Sequence, residues 1–256
     1  MLRRQIKRFL PRLPAPLIRS LLRAERRWRP AHFPSYQHLL AQFAQLHSDV
    51  YFVQIGAHEG DYSDPIYQQV MLHQWQGLLV EPQSTALRQL RHHYRHAKGL
   101  SYEQSAISDQ SGKQTFYFFR PAPELPHWVS QLSSFHRPLL EAVQDRLPTA
   151  IIDSQDMNCL SLSELLAKHQ VNKLDLLMID AEGHDFHILR QLDFARHSPR
   201  LIFYEHCHLS SSDQKAAHQL LRDQGYALYP SSFNTIGLRD PQLIKQYQPY
   251  LMMSSD

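Results

Sequence analysis

The sequence predicts an α/β fold: a mostly parallel sheet, helices on both of its faces, and one antiparallel strand at the far edge. Three observations carry this. Short apolar runs alternate with helical patterns along the body of the chain, as they do when crossover helices connect parallel strands. The first run ends in a glycine turn, from Gly56 to Gly60. Carboxylates close four of the five predicted strands, at the ends where open α/β sheets bind their ligands.

The elements follow in order. Residues 51–55 form a buried-strand pattern, and 64–73 read as a helix. Residues 77–81 are a second apolar run. Residues 82–96 then put Leu87, Leu90 and Tyr94 on one helical face. Residues 100–106 make a weaker strand, 109–112 a turn, and 114–119 alternate as a strand does. The stretch 120–150 breaks this rhythm with Pro121, Pro123, Pro126, Pro138 and Pro148, and reads as an insert. Regularity returns with a helix over 161–170, for which Ser161 or Ser163 is the cap. Residues 174–179 are a strongly apolar strand, 185–192 a helix, and 201–204 another strand. A helix over 211–224 stops at Gly225. Residues 226–229 and 235–238 form a closing hairpin, the source of the antiparallel strand.

Charge is distributed unevenly. The 256 residues carry a formal net charge of +3, but residues 1–30 hold ten Lys or Arg against Glu25 alone. The rest of the chain therefore has a balance of −6. An acidic body makes nucleic acid an unfavoured substrate, because backbone neutralisation needs a basic surface. No stretch approaches the roughly 18 apolar residues of a membrane span. Pro11, Pro14 and Pro16 interrupt any secretory core, and an Arg-rich transit peptide would have Ser20 as its only serine. Residues 17–28 read as an amphipathic basic helix, suited to a membrane surface or protein partner, or to packing on the domain. Cys159 and Cys207 cannot build a disulfide framework, so a reducing, cytoplasmic setting is expected, peripheral at a membrane if the tail binds one. Residues 1–45 are thus a basic, partly helical extension and 46–256 the folded domain.

The strand ends suggest the ligand. Gly56 and Gly60 let backbone approach it closely. Glu81, 21 residues past Gly60, suits an acid that grips ribose hydroxyls. That pattern alone fits NAD, a nucleotide or S-adenosylmethionine. Charge separates them. Between Arg29 and Arg88 there is no Lys or Arg, while Asp49, Glu59, Asp61, Asp64 and Glu81 fall in the same stretch. Phosphates favour positive neighbours; a sulfonium with a free ammonium favours the opposite.

Several separated segments then match one family in order. Residues 53–60, 64–66, 75–82, 106–108, 179–189 and 204–209 resemble the FkbM-type methyltransferases, over roughly residues 50–240. The resemblance implies a Rossmann-like class I methyltransferase fold with a seven-stranded sheet, S-adenosyl-L-methionine as donor, and O-methylation of a sugar, glycan, glycolipid or natural-product hydroxyl. It implies donor contacts at the first turn (Gln54, Gly56, Ala57, Gly60, Asp61), at the second strand end (Glu81, Pro82), at Ala106, Ile107 and Ser108, and at Asp180 and Glu182. Gln54 departs from the Asp common in the family, so Asp61 or Asp180 is expected to meet the donor ammonium. A non-catalytic nucleotide- or adenosylmethionine-binding module, tethered by its tail, is the alternative; acids kept at four strand ends argue against it.

Methyl transfer to an alcohol needs alignment and a proton acceptor. His206 or Glu205 is expected as base, with Asp180 beside the donor methionine. An extended segment would put His206 and His208 on one face and Glu205 on the other. A divalent metal on Asp180, Glu182 and Glu205, with His206 and His208, is conceivable but not favoured. His92 and His96 have metal-pair spacing, yet sit among Arg88, Arg91, Arg95 and Lys98, so a solvated basic face is expected. In the insert, Trp128, Phe135, His136 and Arg137 offer stacking surfaces and donors to a sugar acceptor, or else a small surface cluster.

Overall fold

The computed structural model describes residues 35–60, 64–126, 129 and 132–251. The predicted basic helix, Asp61 and Trp128 lie outside the described residues.

Seven strands form the main sheet. They are β1 (Tyr51–Ile55), β2 (Gln76–Val80), β3 (Leu100–Glu103), β8 (Leu176–Ile179), β9 (Leu201–Glu205), β10 (Ala227–Pro230) and β11 (Asn234–Leu238). Their order is β10-β11-β9-β8-β1-β2-β3. The pairs β1–β2, β1–β8, β2–β3 and β8–β9 are parallel. Strand β11 runs antiparallel to both β9 and β10, so the reversed strand sits one place in from the edge, with β10 outside it. The chain order reverses between β1 and β8, and the crevice at such a switch point is where ligands bind.

Period-two alternation builds a core on each face. Phe52, Leu176 and Met178 point to one side, Val53, Ile55, Leu177 and Ile179 to the other. The first side is covered by α1 (Tyr36–Leu46), α2 (Tyr67–His73), α3 (Ser84–His93) and α8 (Pro241–Tyr247); the second by α5 (Leu162–Lys168), α6 (Asp185–Leu189) and α7 (Ser211–Asp223). Helix α1 falls within the stretch assigned to the extension, yet Leu39, Leu40 and Phe43 are wholly buried in the core. At about 1.5–3 kcal/mol for each such side chain, α1 is part of the folded body. Of the two candidate caps of α5, Ser161 accepts from Glu164 N in a capping box. Helices α2 and α3 are shorter at their starts than expected, because Pro65 and Pro82 lie in the preceding turns.

A second, four-stranded sheet was not foreseen. Its order is β4-β7-β5-β6, where β4 is Ala106–Ile107, β5 is Gly112–Phe119, β6 is Ser133–Ser134 and β7 is Ile152–Leu160. The single weak strand expected over 100–106 is therefore two strands in two sheets: Leu100–Glu103 pairs with β2, and Ala106–Ile107 with β7. The insert contributes β6 and α4 (Arg137–Gln144), and buries Phe119, Val129, Leu132, Leu140 and Ala150 as a small core of its own. Among the described residues, no helix is long and apolar enough to cross a membrane.

Candidate active site

The glycine turn closes the end of β1 against two neighbours. Gly56 N and Ala57 N both donate to Val80 O, at 3.0 Å each. Gly56 has φ +77°, and a Cβ there would stand 1.9 Å from the Asp180 carbonyl oxygen. No other residue fits between the ends of β1 and β8. At Gly60, φ is +60° and a Cβ would meet Leu90 Cδ1 at 2.3 Å. The two glycines thus serve close approach to protein as well as left-handed backbone.

Glu81 fastens this turn to the end of β2. Its carboxylate is 3% exposed and accepts from His58 N at 2.9 Å and from Gln83 N at 2.8 Å. Burial raises its pKa to about 7, and those two hydrogen bonds oppose the shift. His58, at φ +48°, holds the turn open toward this acid. Pro82 follows, half-buried. Gln54 lies at 6% exposure on the opposite side of β1; its Nε2 donates to Asp64 Oδ1 at 3.3 Å. Asp64 also accepts from Ile66 N and, through Oδ2, from Tyr94 Oη at 2.7 Å. The buried Gln54 Oε1 has no hydrogen-bond partner among the described residues, so it offers an acceptor to an ammonium group, though no charge.

Ala106 and Ile107 are buried in the small sheet, and Ser108 continues them by donating its N–H to Leu160 O. The Ser108 hydroxyl is engaged by Gln114 and its carbonyl by Gln191 Nε2. The carboxylate that ends β3 is Glu103, and it is spent on Lys168 at 2.8 Å and His169 at 2.7 Å.

The ends of β8 and β9 bring the remaining acids together. Asp180, Glu182 and Glu205 offer oxygens within 4.8 Å of one another. Asp180 reaches solvent, though protein encloses its carboxylate. That enclosure first, and the Glu182 carboxylate second, raise its pKa. Glu205 is raised much further, by burial and then by Asp180, Glu182 and Asp185. His208 answers this cluster: its Nε2 is 3.1 Å from Glu182 Oε2 and 3.6 Å from Glu205 Oε2. Burial alone would lower its pKa, but the Glu182 hydrogen bond and charge outweigh that and raise it.

His206 does not join them. Strand β9 ends at Glu205, and the chain turns at once. Alternation therefore fails beyond that point, and it is His208, three residues on, that returns to the Glu205 side chain. His206 Nδ1 instead contacts Thr235 Oγ1 at 2.9 Å, and burial, followed by nearby His218, pushes its pKa down to about 4. His92 and His96 are exposed, as expected of a solvated face.

Two further residues support these loops. Asp185 is wholly buried; it accepts from Ala181 N, Gly183 N and Glu205 N, joining the ends of β8 and β9. Ser134, 1% exposed, donates its hydroxyl to Glu182 O at 2.8 Å. Glu182 has φ +49°, a strained setting for a non-glycine residue that this bond helps to hold. The only sequence sign of Asp185 is its spacing from Asp180 and Glu182 in one short motif.

The Methyltransferase FkbM domain matches residues 54–228, more than half of the chain and all of these strand ends. The chain belongs to the FkbM methyltransferase family. Among solved structures, the FkbM methyltransferase of Methylobacillus flagellatus KT superposes with a TM-score of 0.51 at 12% identity, over 80% of this chain and 48% of that one. This chain thus spans about half the length of that protein. A putative caffeoyl-CoA O-methyltransferase from Staphylococcus aureus has a TM-score of 0.45 at 10% identity, over 93% of this chain and 98% of that one. At such identities the first likeness concerns the fold alone, which is that of class I methyltransferases. Among curated proteins, none matches the chain. Membership of the FkbM family implies S-adenosylmethionine as the methyl donor.

Proposed function

We propose that the protein O-methylates a hydroxyl of a sugar, glycan, glycolipid or related natural product. The observation that carries this is the joined site: a cation-poor glycine turn at Glu81 and Asp180 runs directly into a carboxylate–imidazole cluster at Glu182, Glu205 and His208. The first part suits a cationic donor. The second suits removal of a proton from an alcohol.

The donor fits the residues present. S-adenosylmethionine supplies an activated methyl group on a sulfonium. Glu81 is placed at the β2 end to accept ribose hydroxyls with the lone pairs left by His58 N and Gln83 N. The Gln54 amide oxygen and the Asp180 carboxylate are suited to the donor ammonium. Gly56, Ala57 and Gly60 bring backbone close, and the buried Ala106, Ile107 and Ser108 are assigned to the adjoining wall on the family resemblance alone.

Proton removal falls to His208 in this reading, with Glu205 and Glu182 as its partners. His208 takes the hydroxyl proton at Nδ1, while Nε2–H stays turned to Glu182 and Glu205, which share the charge gained. His206, turned onto Thr235, is a structural residue here. A divalent metal is not favoured in this reading, although Asp180, Glu182 and Glu205, or Glu205, Cys207 and His208, have the spacing to hold one; His206 is in neither group.

Incubation with methyl-labelled donor and fractionated cell extract tests this directly. The expected product is a labelled methyl ether on a hydroxyl carbon. Label recovered on nitrogen, on carbon or on RNA would remove the O-methyltransferase reading.

A further inference from the structure

A cleft of about 280 Å³ opens beside the cluster, lined by His136, Pro138, Leu139, Glu182, Gly183 and His208. One wall is therefore the insert, and the other is the loop after β8 with the turn after β9. The two walls are fastened together. Ser134 Oγ donates to Glu182 O and accepts from His136 N at 3.1 Å. On the donor side, Gln83 Nε2 donates to Ser133 Oγ at 3.2 Å. Strand β6 thus ties the insert to the loop that carries Glu81 as well as to Glu182, and the cleft has a fixed relation to both halves of the site.

Its lining is amphipathic. Pro138 and Leu139 give an apolar shelf, while Glu182, His208 and His136 give hydrogen-bonding groups. Among the described residues, no Lys or Arg lines it. The nearest one in sequence, Arg137, is taken by Glu141 at 2.8 Å and lies over the Tyr117 ring. Asp180 and Glu205 bring carboxylate oxygens within 4.8 Å of Glu182. An acceptor carboxylate or phosphate would be desolvated beside three carboxylates, and among the described lining residues the one group able to turn cationic beside them, His208, is already drawn to Glu182. The volume is just below the roughly 300–1,000 Å³ of drug-sized ligand pockets, so it suits one ring and not a strand of several.

Resting on the methyltransferase reading above, we infer that this cleft is the acceptor subsite and that it takes a single uncharged, hydroxyl-bearing ring, such as a neutral sugar residue or cyclitol. The ring's C–H face lies on Pro138 and Leu139. Its hydroxyls face Glu182, His136 and His208, so that the hydroxyl nearest His208 loses its proton. The insert, through Leu139, sets which ring is accepted.

The test uses the full chain, methyl-labelled donor, and a panel of neutral methyl glycosides and myo-inositol beside methyl uronosides and phosphorylated glucose. Binding of S-adenosylhomocysteine is measured in parallel. Transfer to at least one neutral member and to none of the charged ones is expected. Leu139→Trp, which fills the cleft, is expected to raise the acceptor KM about tenfold or more while S-adenosylhomocysteine affinity stays within about twofold. Leu139→Ala, which keeps the fold and widens the cleft, is expected to broaden the range of neutral rings accepted. Preference for a charged member, transfer to no neutral member by protein that binds the donor product, or unchanged acceptor KM in both Leu139 variants would overturn the assignment. Failure of the wild-type protein to bind S-adenosylhomocysteine would instead remove the methyltransferase reading beneath it.

Discussion

Replacing His208 with alanine is expected to lower kcat by about 100- to 10,000-fold, the range typical of a lost general base. Donor affinity is expected to change far less, because His208 faces Glu182 and Glu205 and not the glycine turn. His206→Ala is expected to cost less than about tenfold, through lost packing against Thr235 and not lost chemistry. The pH profile separates a base from a mere strut. A base works deprotonated, so kcat rises with pH through its pKa. Glu182 raises the His208 pKa against the opposing effect of burial. Glu182→Gln removes that support, lowers the pKa, and is expected to move the acid limb of the profile to lower pH. A His208 that only held the loops in place would leave the limb where it was.

The second large effect is on the donor. Glu81→Ala is expected to weaken S-adenosylmethionine binding about 100-fold. The substitution leaves His58 N–H and Gln83 N–H without their acceptor in a site where the carboxylate is 3% exposed. Each stranded donor costs about 1–3 kcal/mol of folding stability; the lost affinity comes from the ribose hydrogen bonds to the carboxylate, about 1.5–3 kcal/mol for a bond to a charged group, at about tenfold for each 1.4 kcal/mol. Glu81→Gln keeps one acceptor oxygen and is expected to fall between. Isothermal titration against both variants checks this, with thermal unfolding to show that the fold persists. Burial lifts the Glu81 pKa to about 7, so wild-type donor affinity is also expected to fall as pH drops through that value and the carboxylate takes up a proton.

Much of this was legible in the sequence because it rests on dense local signals. The apolar runs of β1, β2, β8 and β9 are buried on both faces and read as strands without ambiguity. Their following acids occupy the switch-point crevice that the fold class implies. Strand β7 was illegible for the opposite reason. Of its nine residues only Met157 and Cys159 are buried, so Asp153, Ser154, Gln155 and Asp156 present no hydrophobic pattern to find. The two-residue strand Ala106–Ile107 cannot be told by periodicity from the end of β3; only its partner decides its sheet. The histidines failed at a boundary. Whether His206 or His208 returns to the site depends on where β9 stops, and one residue of turn reverses the answer. Asp185 has the look of an ordinary acid at a helix start, and its bonds to both loops exist only once β8 and β9 lie side by side.

The central claim is that the cation-poor crevice between β1, β2 and β8 holds a sulfonium donor. Titration of the wild-type protein with S-adenosylmethionine, S-adenosylhomocysteine, ATP and NAD tests it most directly. One saturable site for S-adenosylmethionine is expected, with affinity in the range of about 1 μM to 1 mM usual for enzyme substrates. S-adenosylhomocysteine is expected to bind comparably, and the two phosphate-bearing ligands not at all. Binding of ATP or NAD as tight as that of S-adenosylmethionine, or no heat with either adenosyl sulfur compound, would contradict it.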